Sequence, residues 1–134
     1  VMFQFLNCPM IDDGGMTPIN YRFTGISSRK RIQKCWSAYL GKHAKSGEIS
    51  PYAVPARAED LRGLPPCYIP VGGLDLFCDE NIQYARRLMR ASVPTEVHVF
   101  PGAPHAFDFV VPEASISRRA NALHYEVLRR AFDT

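Results

Sequence analysis

Two stretches decide how this chain is read: Val71-Gly72-Gly73-Leu74-Asp75-Leu76-Phe77-Cys78-Asp79-Glu80 and Phe100-Pro101-Gly102-Ala103-Pro104-His105-Ala106-Phe107-Asp108. Each is a turn that follows an apolar run, and each offers an ionisable side chain just past the end of an expected strand. A helical pattern lies between them. In a parallel sheet this puts both groups at the carboxyl edge, where open α/β folds collect their chemistry. A carboxylate beside an imidazole is the acid–base half of a nucleophilic triad.

The segments around these turns continue the alternation. Cys67-Tyr68-Ile69-Pro70-Val71 has strand composition, although Pro70 lacks a backbone donor and predicts a bulge or local irregularity. Asp79 to Arg90 reads as a helix with Ile82, Ala85, Leu88 and Met89 turned inward. Its acids open the first turn, where they cap, and its arginines lie toward the end, matching the helix dipole. Val93-Pro94 breaks that helix, and Thr95 to Phe100 alternates as a strand. Pro112 suits the first turn of a last helix whose buried face is Ile116, Ala120, Leu123 and Val127. Residues 67–134 therefore form a βαβα unit with parallel strands and a right-handed crossover.

Upstream, Phe3 to Met10 carries bulky residues on both faces, the pattern of an interior strand, and ends in the acidic turn Asp12-Asp13-Gly14-Gly15. Such a strand at the start of a chain implies a missing neighbour. Ser28 to Leu40 reads as a helix with Ile32, Cys35, Trp36, Tyr39 and Leu40 on one stripe, Ser27 or Ser28 as its cap and Gly41 as its stop. Residues 42–66 are loop-like, with a short turn expected at Ala58–Leu61.

At 134 residues, with 46% hydrophobic and 22% charged, the composition is that of one globular domain. The net charge of +3 is small and mixed along the chain, which argues against nucleic acid as a partner. The basic run Arg29-Lys30-Arg31-Ile32-Gln33-Lys34 is read as a solvated helix face rather than an anion-binding patch. Cys8, Cys35, Cys67 and Cys78 have no CxxC spacing and read as buried thiols, which points to a cytoplasmic protein. No stretch reaches membrane-spanning length and no signal peptide is visible. His98, His105 and Cys78 lack a recognised metal spacing, so no metal is expected.

Further segments join the two turns in a recognisable order: Asn7-Cys8-Pro9-Met10-Ile11-Asp12-Asp13, Trp36-Ser37-Ala38-Tyr39-Leu40-Gly41, Ile49-Ser50-Pro51-Tyr52-Ala53-Val54-Pro55-Ala56-Arg57 and Asp60-Leu61-Arg62-Gly63-Leu64-Pro65-Pro66. With Gly73-Leu74-Asp75, Asp79-Glu80 and Pro101-Gly102-Ala103-Pro104-His105, this order resembles the C-terminal part of the hormone-sensitive-lipase-like esterases, a branch of the α/β-hydrolase fold. The resemblance implies that residues 1–134 are a partial α/β-hydrolase domain, with about 16–50 as part of a cap over the acyl pocket. Phe23, Trp36 or Tyr39 could line that pocket, although ordinary helix packing is the favoured reading of each. Asp75 would match the family's triad acid and His105 its base, serving hydrolysis of a small acyl ester through an acyl-enzyme without a cofactor. Leu76-Phe77-Cys78 replaces the family's common Pro-Leu-Arg after the acid. Ala106 replaces the usual glycine after the histidine, an exchange that is tolerated where the backbone φ is negative. His43, His98 and His124 are assigned structural or surface roles.

The nucleophile half is absent from this sequence. None of Ser27, Ser28, Ser37, Ser46, Ser50, Ser92, Ser115 and Ser117 is framed as Gly-x-Ser-x-Gly, and no His-Gly-Gly segment offers oxyanion donors. The resemblance places both motifs before residue 1. The expected partner is then the missing N-terminal hydrolase portion, or a second copy joined through the Phe3–Met10 strand. The alternative is a catalytically inactive hydrolase-like fragment that acts as an assembly or binding module. A nucleotide-binding reading fails because Gly72-Gly73 lacks the GxGxxG spacing.

Overall fold

The computed structural model describes residues 1–14, 29–45 and 49–133. The candidate caps Ser27 and Ser28, and Phe23 of the candidate pocket, lie outside the described residues. A parallel three-stranded sheet has the order β1-β2-β3, formed by β1 (Gln4–Phe5), β2 (Cys67–Gly72) and β3 (Thr95–Phe100). The described α-helices are α1 (Arg29–Leu40), α2 (Cys78–Arg90), α3 (Phe107–Val110) and α4 (Ser115–Phe132).

Alternation along β2 sets the two layers. Cys67 and Ile69 point to one face and join Tyr84, Ala85 and Leu88 of α2. Tyr68 points to the other face, where its ring meets His124 of α4 at a centroid distance of 5.8 Å. Covered on both sides, β2 is buried along its whole length, which is why its sequence is apolar without interruption. The crossover from β2 through α2 to β3 gives the parallel α/β arrangement read from the sequence.

Pro70 does not distort the strand. Its carbonyl accepts from the Cys8 backbone N–H at 2.9 Å, so its nitrogen also faces β1. The ladder to β3 stays regular through six residue pairs, from Cys67–Thr95 to Gly72–Phe100. The missing donor is felt on the β1 side instead. The expected strand over Phe3–Met10 is regular only at Gln4–Phe5, although Leu6 and Cys8 still donate to Tyr68 and Pro70. Phe3 to Leu6 are half-buried rather than enclosed, because among the described residues β1 has a neighbour on one side only.

The helix faces differ from their expected stripes. Ile82 and Met89 of α2 are exposed, and Glu80, Asn81, Tyr84, Ala85 and Leu88 are buried instead. Polar bonds fix that rotation: the Asn81 Nδ2 donates to the carbonyls of Pro9 at 2.9 Å and Phe77 at 2.7 Å. On α1, Ile32, Trp36 and Leu40 are buried while Cys35 and Tyr39 face outward. The helix ends at Gly41, whose φ is +54°, and runs into a 3₁₀ turn over Gly41–Lys45. A further 3₁₀ turn falls at Pro55–Arg57, just before the expected Ala58–Leu61. Pro112 lies between the short α3 and α4 rather than in the last helix. Ala120 and Val127 are buried as expected, joined by Ser117 and His124, with Ile116 and Leu123 only partly covered. Among the described residues no helix is long and apolar enough to cross a membrane.

Candidate active site

Asp75 sits in the turn between β2 and α2, and His105 in the turn after β3. Both turns leave the same end of adjacent parallel strands, so the topology alone brings them together. Their backbones are tied directly. Gly73 N–H donates to the Phe100 carbonyl at 2.8 Å, and Leu74 N–H donates to the Ala103 carbonyl at 2.9 Å. Gly72 makes the approach possible. A Cβ there would lie 2.8 Å from the Pro104 carbonyl oxygen and closer still to that of Ala103.

The result is a hydrogen bond of 2.8 Å between His105 Nδ1 and Asp75 Oδ2. Asp75 is fully buried, and its other oxygen, Oδ1, accepts the Phe77 N–H at 3.0 Å. Its own N–H donates to the Gly72 carbonyl at 3.1 Å, and its carbonyl accepts from Cys78 at 3.1 Å. The imidazole stands edge-on to Phe77, with ring centroids 5.2 Å apart, and remains partly open to solvent. A bond through Nδ1 fixes one tautomer and turns Nε2 away from the carboxylate. The Asp75 hydrogen bond is the main cause of a raised His105 pKa, with Cys8 adding to it and burial opposing. A neutral imidazole is the form that accepts a proton, so its availability grows as pH rises.

The histidine turn is braced from behind. Ser117 Oγ donates to the Phe107 carbonyl at 3.0 Å, joining α3 to α4. The buried Asp108 accepts from Asn7 Nδ2 at 3.1 Å, and its carbonyl accepts from Asn121 at 3.4 Å. Ala106 does not meet the condition of negative φ under which the exchange is tolerated: it has φ +54° and ψ +27°. The left-handed turn explains why glycine is common at that place in the resembled family, and here a methyl group is carried at some strain.

A cavity of about 380 Å³ opens beside His105, lined by Asn7, Cys8, Met10, Ile32, Cys35 and Phe77 among others. Trp36 is instead buried with Ile32, Leu40, Val54, Leu76 and Phe77, so the packing reading holds for it. A larger cavity, about 520 Å³, lies by Pro66, Pro94 and Thr95 at the opposite end of the strands, away from both turns.

Three participants escaped the sequence reading. Glu80 is buried rather than capping α2, and its Oε1 accepts the N–H groups of Ile11 at 2.8 Å and Asp12 at 3.3 Å. Burial is the main reason its pKa rises to about 7. Asn81 holds Pro9, as described above. Cys8 comes within reach of Asp75 and His105, one potential ligand atom from each lying within 4.8 Å of the others. Nothing in local spacing signals that contact, since it depends on how β1 pairs with β2. His98, at 3.0 Å from Glu96, and His124, at 3.9 Å from Asp108, take no part in the pair.

The chain is similar in sequence and fold to known proteins. A sequence profile of the alpha/beta hydrolase fold matches residues 1–109, and the chain belongs to that family. Its hormone-sensitive-lipase-like character also holds. It is 52% identical over 60 residues to the esterase LipI of Mycobacterium tuberculosis, covering 45% of this chain and 18% of that protein. It is 31% identical over 91 residues to the hormone-sensitive lipase of Bos taurus, covering 68% of this chain and 12% of that protein. Among solved structures, the esterase LipW of Mycobacterium marinum superposes with a TM-score of 0.85 at 37% identity, over 98% of this chain and 41% of that one. A bacterial heroin esterase superposes with a TM-score of 0.88 at 38% identity, over 96% and 42%. The chain thus spans less than half the length of each of these relatives.

Proposed function

We propose that this chain supplies the acid and base of a serine carboxylesterase, with Asp75 orienting His105. The Asp75–His105 hydrogen bond across two strand-end turns carries the reading. In the reaction, His105 Nε2 takes the proton of a serine hydroxyl as it attacks an acyl ester. It then returns a proton to the leaving alcohol, and repeats the cycle with water on the acyl-enzyme. Asp75 stabilises the imidazolium between these steps. The serine and oxyanion donors belong to a hydrolase portion outside these 134 residues, in keeping with the absent Gly-x-Ser-x-Gly and the partial coverage of the relatives. Losing even one oxyanion donor costs about 3 kcal/mol of transition-state stabilisation, so the acid and base alone are expected to be nearly inert. The substrate class is a small acyl ester, no cofactor enters, and the cap role of about 16–50 is part of the same proposal.

Hydrolysis of p-nitrophenyl butyrate tests this, measured on the chain and on an assembly carrying the serine-bearing portion, each against His105→Ala. Activity that appears with that portion and vanishes in the variant supports the assignment. Equal rates for the assembly and its variant would refute it.

A second reading rests on the open side of β1, where among the described residues no strand pairs. That edge suits assembly, either with the absent portion or with another copy. Light scattering during size-exclusion chromatography reads this directly: a monomer at all concentrations counts against self-association.

A further inference from the structure

The structure holds a thiol, a carboxylate and an imidazole in one place: ligand atoms of Cys8, Asp75 and His105 all lie within 4.8 Å of one another. We propose that Cys8, Asp75 and His105 form a binding site for Zn²⁺ at the cavity beside His105. The donor set points to that ion. A thiolate and an imidazole favour zinc over the hard cations magnesium and calcium, and three protein ligands leave one position for water. Around a tetrahedral zinc, ligand atoms stand roughly 3.3–3.8 Å apart, so side-chain adjustments of about 1 Å close the site.

The surroundings favour such a site. Cys8 is held at φ +36°, a backbone conformation rare outside glycine, on the segment that pairs with Pro70 of β2. Asp75 is anchored through its second oxygen by the Phe77 N–H, which leaves Oδ2 to face the histidine. The cavity of about 380 Å³ touches both Cys8 and His105 and provides the path of entry. The ion replaces the proton shared between His105 Nδ1 and Asp75 Oδ2, and Cys8 binds as thiolate, so uptake releases protons. Three protein ligands place the affinity below that of closed four-ligand sites. Binding does not depend on the esterase reading. Inhibition by zinc does, because the ion occupies the proposed base.

The test is zinc uptake by the chain in competition with a chromophoric chelator, repeated with Cys8→Ser and His105→Ala. One ion per chain is expected, with at least about tenfold weaker binding in each variant. Cobalt in place of zinc should give a thiolate charge-transfer band that Cys8→Ser removes. Should a variant fold poorly, wild-type protein still decides: zinc must slow iodoacetamide alkylation of Cys8, and magnesium at the same concentration must leave it unchanged. Cys8→Ser binding as tightly as wild type, or unchanged Cys8 alkylation at saturating zinc, overturns the proposal.

Discussion

Replacing Glu80 with glutamine should stabilise the chain in mild alkali and leave it nearly unchanged in acid. Glu80 is 6% exposed, and its carboxyl pKa is lifted to about 7, first by burial and then by the charges of Asp12 and Asp75, against the two N–H groups it accepts. Moving a carboxyl from its usual 4.5 to about 7 amounts to about 3 kcal/mol against the ionised form. Between those values the folded chain holds more protons than the unfolded one. Wild-type stability therefore falls as pH rises through that window and levels off above it. Glutamine keeps an oxygen for Ile11 and Asp12 and removes the charge. Allowing about 1 kcal/mol for an amide group that replaces an acceptor, Glu80→Gln should gain about 2 kcal/mol near pH 8. Urea unfolding of both proteins near pH 5 and near pH 8 isolates the effect, because every other titrating group is shared. A stability difference that does not change with pH would show that Glu80 is not held against its charge.

Gly72→Ala should destabilise the chain by about 2 kcal/mol, because its methyl meets backbone carbonyls that cannot swing aside, and urea unfolding measures it. The same substitution should part the two turns, seen as a changed imidazole proton signal of His105; an unaltered signal would dismiss the close-approach argument. Ala106→Gly should stabilise by about 0.5–1 kcal/mol, since φ +54° suits glycine, and a loss of stability on thermal unfolding would contradict the strain. In an active assembly, kcat/KM should rise with pH through an inflection above 6.5, because Asp75 favours the protonated His105; an inflection below 6.5 would count against that coupling.

How much of this was legible depends on whether the signal is local. β2, α2, β3 and α4 were readable because each has a period and a punctuating Pro or Gly within a few residues. That Asp75 and His105 would meet was readable because the turn after a parallel strand has a fixed place in the sheet. The polar residues that turn inward were not. Glu80 and Asn81 share the first turn of α2 with Asp79 and look like a solvated helix start. Only their distant partners, Ile11, Asp12 and Pro9, show that the turn is buried. The same segment explains why Ile82 and Met89 face outward against the apolar pattern: the polar anchors set the rotation of the helix. Pro70 was misjudged for a related reason. Its missing donor mattered to one neighbouring strand and not to the other, and composition cannot tell the two apart.

The contacts that hold Asp75 against His105 are supplied by the chain itself. Gly73 and Leu74 bind the turn after β3, the Phe77 N–H donates to Asp75 Oδ1, and Ser117 anchors the segment just beyond His105. None of these bonds requires a nucleophile to be present. The pair is therefore organised within this chain, so under the proposed function the ordering of two turns is not charged to the encounter with substrate. The same preorganisation leaves the imidazole close to a thiol with no serine hydroxyl from this chain framed to use it. A hydrolase built from two portions would gain from that order, since docking need only bring Oγ within reach of Nε2. It would also be exposed to whatever binds first, and a thiophilic cation meeting Cys8, Asp75 and His105 together is the competitor that the geometry favours.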